Sequence, residues 1–315
     1  FIQHRHKRSV LRLDLLYRGR NLHPALKHIS HTLSSYFCAM PYLYSYLRYP
    51  AQVTWTIGAS VDALDTKDPE TQKEHYNRFN PKLGLMWDLT PRTTFRAAVF
   101  KTLKRATLFD QTIEPTQVAG FNQFFDDFDS TEARRLGLAL DHRFSSDLYG
   151  GVELSRRDLQ VPIDTLDGTL ITDFSENLRR AYLYWTPHSQ VAMGVSVESE
   201  EFEPDTEEIS AVETLFVPAT VSYYSPSGFF GSLSATLVNQ DVERRGADDF
   251  VLFDGALGYR LPNRYGIVRL GVKNIFDEDF NFRGLTFQRS PPRESDEGPL
   301  FTPERTIFVQ MTLAF

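Results

Sequence analysis

The sequence predicts an all-β fold, an antiparallel transmembrane β-barrel, from the pattern and length of its apolar segments. Apolar and polar residues alternate with a period of two along most of the 315-residue chain. Most alternating segments are about ten residues long, which a tilted strand needs to cross a bilayer. No apolar run reaches the length of about 18 residues that is typical of a membrane-spanning helix.

The alternation is clear in residues 53–62, where Trp55 and Ile57 fall on one side of a strand and Thr54 and Thr56 on the other. One face of each such strand is therefore expected to be apolar and the other polar. The same division recurs in segments along the chain. The predicted strands are 9–18, 42–48, 53–63, 79–88, 93–103, 131–143, 147–158, 177–186, 189–200, 211–224, 228–240, 249–260, 265–275 and 304–315.

The predicted connections alternate between tight turns and long polar loops. The tight turns are 49–52, 89–92, 144–146, 187–188, 225–227 and 261–264, and the long loops are 64–78, 104–130, 159–176, 201–210, 241–248 and 276–303. Because alternate connections of a meander lie at the same end, one end is expected to be short and the other elaborated. Outer-membrane barrels have this arrangement, with short periplasmic turns and long extracellular loops.

A sheet in hydrocarbon must close on itself, because each unpaired backbone group there costs several kcal/mol. The apolar side of each strand is then expected to face lipid, and the polar side to line the interior. The predicted interior residues are Lys82, Asp88, Arg96, Asp141, Glu153, Arg157, Asp254, Arg269 and Lys273.

Aromatic residues make up 13% of the chain, and many lie beside the predicted tight turns. Rings at one height suit a girdle at the lipid headgroups, because each has an apolar body and several have a polar tip. The predicted girdle residues are Tyr49, Trp87, Phe144, Trp185, Tyr223, Phe229, Tyr259, Tyr265 and Phe315. A soluble β-sandwich or propeller is the alternative, with the aromatic residues in its core.

Charge divides the chain into two predicted regions. Residues 1–41 contain seven Lys or Arg and one acid, although the whole chain has a net charge of −7. This basic segment, with a possible first strand, is an interaction tail, the edge of a fragment or a poorly ordered end. The last two are favoured over a nucleic-acid or metal role, because no metal-ligand spacing or interleaved aromatic pattern accompanies the charge. Residues 42–315 form the predicted barrel.

Several motifs resemble TonB-dependent receptors of the bacterial outer membrane. The run Val272–Asp277, a long loop and a last strand ending in Phe315 resemble the end of such a receptor. Residues 78–108 resemble its mid-barrel segment, although Leu-Lys-Arg-Ala-Thr stands where the family has a motif near Phe-Arg-Ala-Pro. Residues 114–123 resemble a variant in which tetratricopeptide repeats precede the barrel.

This resemblance implies an outer-membrane receptor or transporter that binds a ligand at its extracellular loops and passes it through a polar lumen. It implies contact with outer-membrane lipid, with the barrel assembly machinery through Phe315, and with TonB through a plug that this chain does not contain. The family's barrel has about 22 strands, so the chain is either the C-terminal part of such a barrel or a smaller one of fourteen. A passive porin-like channel and a membrane anchor or adhesin for an N-terminal repeat domain remain alternatives.

The sequence does not predict an enzyme, because it contains no nucleophile elbow, P-loop or dinucleotide fingerprint. No cofactor is expected. The acidic loops are irregularly spaced for a calcium site, so no metal site is predicted. Basic and aromatic loop residues are typical of a site for an anionic, ring-bearing ligand. The candidate ligand-binding residues are Lys104, Arg105, Phe121, Phe124, Phe125, Arg283 and Arg289.

Overall fold

Strands dominate the fold. The computed structural model describes residues 9–12, 35–39, 41–67, 74–104, 114–124, 127, 130–165, 168–205, 210–244, 246–280, 282 and 304–313. The strands are β1 (Ser9–Arg12), β2 (Ser35–Ala39), β3 (Tyr42–Arg48), β4 (Val53–Lys67), β5 (Glu74–Thr90), β6 (Thr93–Leu103), β7 (Gln117–Val118), β8 (Phe121–Asn122), β9 (Glu132–Arg143), β10 (Leu148–Thr165), β11 (Gly168–His188), β12 (Val191–Pro204), β13 (Val212–Tyr224), β14 (Phe229–Val242), β15 (Gly246–Arg260), β16 (Gly266–Lys273) and β17 (Thr306–Leu313). A short 3-10 helix, Pro262–Arg264, connects β15 to β16.

Fourteen strands form one antiparallel path, in the order β1, β3 to β6 and β9 to β17. β2 pairs with β4 outside this path, and β7 pairs with β8 in a separate small hairpin. Within the described residues, β1 and β17 are the two edges of the path and no pairing joins them. The predicted fold class is confirmed, and each of the fourteen predicted strands corresponds to one strand of the path.

Two predicted long loops are wrong, because β-pairing continues through most of them. β10 and β11 pair without interruption from Leu148 opposite Trp185 to Thr165 opposite Gly168, so pairing occupies both sides of the predicted loop 159–176 as far as Thr165 and Gly168. In the same way, β14 and β15 extend through most of the predicted loop 241–248. The pairing continues because it retains a buried face there, with Val161 and Phe174 almost fully buried.

Smaller corrections concern three other connections. β4 and β5 extend into the predicted loop 64–78, and β12 extends into the predicted loop 201–210. The predicted turn 187–188 lies at the end of β11, and residues 189–190 make the connection. The strands are thus longer at one end of the sheet than the apolar alternation indicates. We call the end with the connections 49–52, 91–92, 144–147, 189–190, 225–228 and 261–265 the tight-turn end.

The strand register separates two faces. Leu85, Ala97, Leu138 and Leu154 stand opposite one another across β5, β6, β9 and β10, on what we call the apolar face. Leu138 and Leu154 are 45% and 54% exposed, as expected of side chains that no second protein layer covers.

The opposite side of the same strands is the polar face. One residue away along each strand, the polar face has a row of small residues: Gly84, Ala98, Gly137 and Ser155. Ala98 is only 4% exposed, because other residues of the chain pack against this part of the polar face. Apolar side chains therefore lie uncovered on one face, while small and charged side chains are buried on the other.

Candidate functional site

Charged side chains form a continuous network on the polar face of β6, β9 and β10. Arg96 donates from Nε to Asp141 Oδ2 at 2.6 Å and from Nη2 to Glu153 Oε2 at 3.3 Å. Arg135 donates from Nη2 to Ser155 Oγ at 2.8 Å. These side chains come together because pairing of the three strands places them on the same face.

The network continues onto β11 through Arg157. Its Nη1 atom lies 2.5 Å from Glu176 Oε2, and its Nη2 atom lies 2.6 Å from Asp127 Oδ2. Asp127 belongs to the connection between β6 and β9 and not to the sheet. The charged residues of the sheet therefore also hold part of this connection.

That connection folds onto the polar face. We call residues 114–124, which include the β7–β8 hairpin, the inner segment. Val118 and Phe121 are fully buried at 0% exposure, although they lie outside the main sheet. Gln123 donates from Nε2 to the Tyr44 hydroxyl at 3.0 Å, and Arg135 donates from Nη1 to the Asn122 carbonyl oxygen at 2.8 Å.

Glu114 anchors the beginning of the inner segment. Its Oε1 atom lies 3.2 Å from Nζ of Lys82, and the two side chains are 2% and 0% exposed. Lys82 also donates to Ser60 Oγ at 3.0 Å. A buried charge is tolerated when it is paired and hydrogen-bonded, as Lys82 is here.

Two phenylalanines of the inner segment lie among the arginines. The Phe121 ring centroid is 5.1 Å from Cζ of Arg96, and the Phe124 centroid is 4.9 Å from Cζ of Arg135 and 4.8 Å from Cζ of Arg157. These distances are typical of cation–π contacts. Both rings are candidate ligand residues from the sequence, and the structure places them against the polar face.

The floor beneath the inner segment consists of small residues. A Cβ atom added to Gly84 would lie 2.8 Å from Cβ of Ala119, and one added to Gly137 would collide with the Phe121 ring. The sequence analysis missed this packing. The sequence does contain a signal for this packing. Gly and Ala occupy polar-face positions of adjacent strands, and small residues in a strand often mark a place where backbone or side chains approach closely.

The remaining predicted interior residues lie further along the sheet or near its ends. Asp254 accepts a hydrogen bond from the Asn274 backbone N–H at 2.8 Å, and Asp88 accepts one from Thr94 Oγ1 at 2.9 Å. Arg269 lies 5.9 Å from the Phe308 ring centroid, and Lys273 is exposed. These four residues are thus separate from the charged network around Arg96.

The candidate ligand residues do not assemble into an exposed cluster within the described residues. Lys104 is 6% exposed, and its backbone N–H donates to the Thr131 carbonyl oxygen at 2.9 Å. Arg105, Phe125, Arg283 and Arg289 lie outside the described residues. Their role in ligand binding stays a prediction.

The second connection that folds onto the polar face follows β16. Phe280 stacks on Phe250 of β15, with ring centroids 4.3 Å apart and an interplanar angle of 20°. Asn274 stabilises this fold-back by donating from Nδ2 to the Glu278 carbonyl oxygen and accepting from the Glu278 N–H, both at 2.9 Å. Apolar packing therefore covers the polar face of β14 and β15 at the end away from the tight turns.

The predicted girdle residues among the described ranges lie near the tight-turn end, and most are well exposed; Phe315 lies outside these ranges. Trp185 donates from Nε1 to Asp147 Oδ2 at 3.2 Å. The hydroxyl of Ser145 also donates to Asp147, at 2.7 Å. The Ser145 hydrogen bond, followed by backbone and Trp185 contributions, lowers the pKa of the Asp147 carboxyl.

A cavity of about 580 Å³ lies at the end of β9 to β12 opposite the tight turns. Residues of both charges line it, among them Lys101, Arg134, Asp158 and Glu203. None of the candidate ligand residues is among its lining residues. Because side chains of both charges line this cavity, it favours neither an anionic nor a cationic ligand.

Two further features are absent from the part of the chain that the structure describes. No three His, Cys, Asp or Glu side chains there are grouped to hold a metal ion. No helix in these ranges is long and apolar enough to cross a membrane.

Comparison of sequences finds no match: no protein-family model matches the chain. No curated protein matches it either. Comparison of structures gives several matches with low sequence identity. The ferric-catecholate import receptor Fiu of Escherichia coli K12 aligns with a TM-score of 0.56 and 14% identity over 90% of this chain and 45% of its own.

Two further receptors align over the same share of this chain. The ferric citrate transporter FecA aligns with a TM-score of 0.59 and 16% identity, over 45% of its own chain. The siderophore receptor PirA of Pseudomonas aeruginosa aligns with a TM-score of 0.54 and 13% identity, over 57% of its own chain. The chain spans about half the length of these structures. They are named as receptors and transporters. The resemblance to TonB-dependent receptors is therefore confirmed for the fold, which is that of their outer-membrane β-barrels.

Proposed function

We propose that the chain is the barrel part of an outer-membrane receptor or transporter, in residues 42–315, preceded by a basic segment in residues 1–41. The observation that carries this proposal is the division of the two faces. Leu136, Leu138 and Leu140 of β9 are 40–55% exposed, whereas Arg135 and Ala139, on the opposite side of the same strand, are 3% and 5% exposed. An uncovered apolar face suits lipid, and a polar face with charged pairs suits an aqueous interior.

The proposed ligand is an anionic metal chelate that is captured at the end opposite the tight turns. Three similar structures are named for ferric-catecholate, ferric citrate and siderophore ligands, which supports this class. The proposed contacts are Lys104, Arg105, Phe121, Phe124, Phe125, Arg283 and Arg289. Phe121 is fully buried, so it would contact a ligand only if the inner segment moved.

The proposed partners follow from the same architecture. The exposed rings at the tight-turn end, such as Trp87 and Tyr265, would lie at the lipid headgroups. Phe315 would be recognised by the barrel assembly machinery, and TonB would act through a plug. Lys82, Asp88, Arg96, Asp141, Glu153, Arg157, Asp254, Arg269 and Lys273 are the proposed interior residues.

Fractionation and uptake test the proposal. The full-length protein is expected in the outer-membrane fraction of the cells that produce it. In electrophoresis, its folded form should migrate differently from the boiled form. Cells that produce it should accumulate radiolabelled ferric citrate or a ferric catecholate in an energy-dependent way.

Each alternative gives a different result. Conductance in planar bilayers with uptake that needs no energy would indicate a passive channel. Membrane insertion with neither uptake nor conductance would indicate an anchor for another domain. Recovery of the protein in the soluble fraction would overturn the membrane proposal itself.

A further inference from the structure

Burial of the polar face near the tight-turn end differs between two groups of strands. Across β4, β6 and β9, polar-face residues there are nearly inaccessible, as Thr56 at 2%, Ala98 at 4% and Ala139 at 5% show. Across β13 and β14, polar-face residues at similar heights, such as Thr220 and Ser234, are half-buried. The inner segment accounts for this difference, since its Val118, Ala119 and Phe121 form one buried cluster with Ala98 and Ala139.

The fit between the inner segment and the sheet is built into the sequence of both. Gly84 and Gly137 leave room for Ala119 and Phe121, and Gly120 passes Arg96 with a positive φ of 87°. Side chains at these glycines would occupy the space that the inner segment fills. The inner segment therefore packs at a defined position on the polar face.

Ion pairs stabilise the inner segment at this position, and the numbers of positive and negative side chains there are nearly equal. Four cations meet five carboxylates: Lys82, Arg96, Arg135 and Arg157 against Glu114, Asp127, Asp141, Glu153 and Glu176. Glu114, the first residue of the segment, and Asp127, which follows the segment, supply two of these carboxylates. Each of the four cations thus lies within 3.9 Å of a carboxylate of the chain itself, and an added anion is not needed to neutralise them.

The polar face of β13 and β14 near the tight-turn end has a different surface chemistry. Hydroxyl groups line the polar face of β13 and β14 near the tight-turn end, with Thr220 opposite Ser234 and Ser222 opposite Ser232. Ser234 in turn stands opposite Asp254. Hydroxyls donate and accept hydrogen bonds without a fixed charge, so this surface suits water and a hydrated polar solute.

We propose that the inner segment closes the side of the passage next to β3–β6, β9 and β10, and that a hydrated solute contacts the hydroxyl-lined polar face of β13 and β14 near the tight-turn end, outside the part that the fold-back after β16 covers. This inference rests on the proposed membrane function, because it assumes that the polar face lines a passage. It adds that the passage is asymmetric and names the side on which a hydrated solute contacts the wall.

Thiol accessibility tests the proposal in the full-length protein in outer-membrane vesicles. The background variant is Cys38→Ser, which removes the single cysteine of the sequence. Ala98→Cys and Ser234→Cys are then compared, each being the sixth residue of its strand from the tight-turn end. A small charged maleimide is expected to label Ser234→Cys about tenfold or more faster than Ala98→Cys, because a protected site reacts only through local opening.

Opening variants provide the second measurement. Glu114→Gln removes the carboxylate charge that faces the buried Lys82, which should raise the population with a released segment about a hundredfold and accelerate labelling at Ala98→Cys. Gly137→Ala should act in the same direction by displacing Phe121. The matched control is Gly255→Ala, whose added Cβ would lie 3.3 Å from its nearest neighbour, Ile275 Cδ1. It should leave labelling unchanged.

The outcomes separate this inference from the proposed function. Equal labelling of Ala98→Cys and Ser234→Cys would overturn the asymmetric passage, whether both are rapid or both are shielded. Unchanged protection of Ala98→Cys in both opening variants would overturn closure by the inner segment. Failure of the proposed function would appear instead as loss of the protein from the vesicles or as absence of uptake.

Discussion

The Nζ atom of Lys82 lies 3.2 Å from Oε1 of Glu114, and both side chains are almost completely buried. Lys82 belongs to the sheet and Glu114 to the inner segment, so this ion pair joins the two. Their separation of 32 residues means that the pair forms only when the connection after β6 folds back over the polar face. It is a direct sign that this connection is part of the interior.

Breaking this ion pair is expected to destabilise the protein. Lys82→Met or Glu114→Leu alone should each lower the free energy of unfolding by about 3–5 kcal/mol, because each removes one member of a buried ion pair. The double variant should lose much less than the sum. Urea unfolding of the protein refolded into lipid vesicles measures this, and additive losses would contradict the coupling.

A charge introduced on the apolar face should be costly. Leu138→Arg is expected to lower the free energy of unfolding in vesicles by about 2–4 kcal/mol, the cost of an arginine near the bilayer midplane. The control is Ser234→Arg, which places the same side chain on the polar face opposite Asp254 and should have a small effect. Equal effects at the two positions would argue against lipid contact at Leu138.

The fold-back after β16 is expected to depend on ring packing more than on its surface ion pair. Phe280→Ala should lower the free energy of unfolding by about 3–5 kcal/mol, because it removes a buried ring that stacks on Phe250. Asp277 and Arg305 are about half exposed and 3.1 Å apart. Asp277→Asn should therefore cost about 1 kcal/mol or less. The reverse order of these two effects in the same unfolding assay would refute this account.

Acid should release the contact between Trp185 and Asp147. The lowered pKa of Asp147 means that its stabilising contribution is present above the unfolded-state pKa and is lost as pH falls through the folded-state value. In a Trp55→Phe/Trp87→Phe background, Trp185 fluorescence should change with a midpoint below about 3.9, the ordinary aspartate pKa. Asp147→Asn should abolish that transition, and a midpoint above the ordinary value would contradict the assignment.

The sequence located the strands well because local alternation is visible in each of them. The polar-face positions of Arg96 and Asp141 followed from the same period of two, which needs no knowledge of distant contacts. The sequence analysis failed where strands extend beyond the apolar band, as in β10 and β11. There the Asp167-Gly168 dipeptide, typical of tight hairpins, was the signal for a short connection.

By itself, the sequence determined the alternation, the order of strands and the residues available on each face, because side chains of a strand point to opposite sides in turn. Only the tertiary structure decided that residues 114–124 lie against Gly84, Ala98 and Gly137, and that Phe121 is buried between arginines. That packing depends on close contacts between segments far apart in the chain. A local sequence pattern contains no information about such contacts, and the burial of Lys82 with Glu114 depends on them entirely.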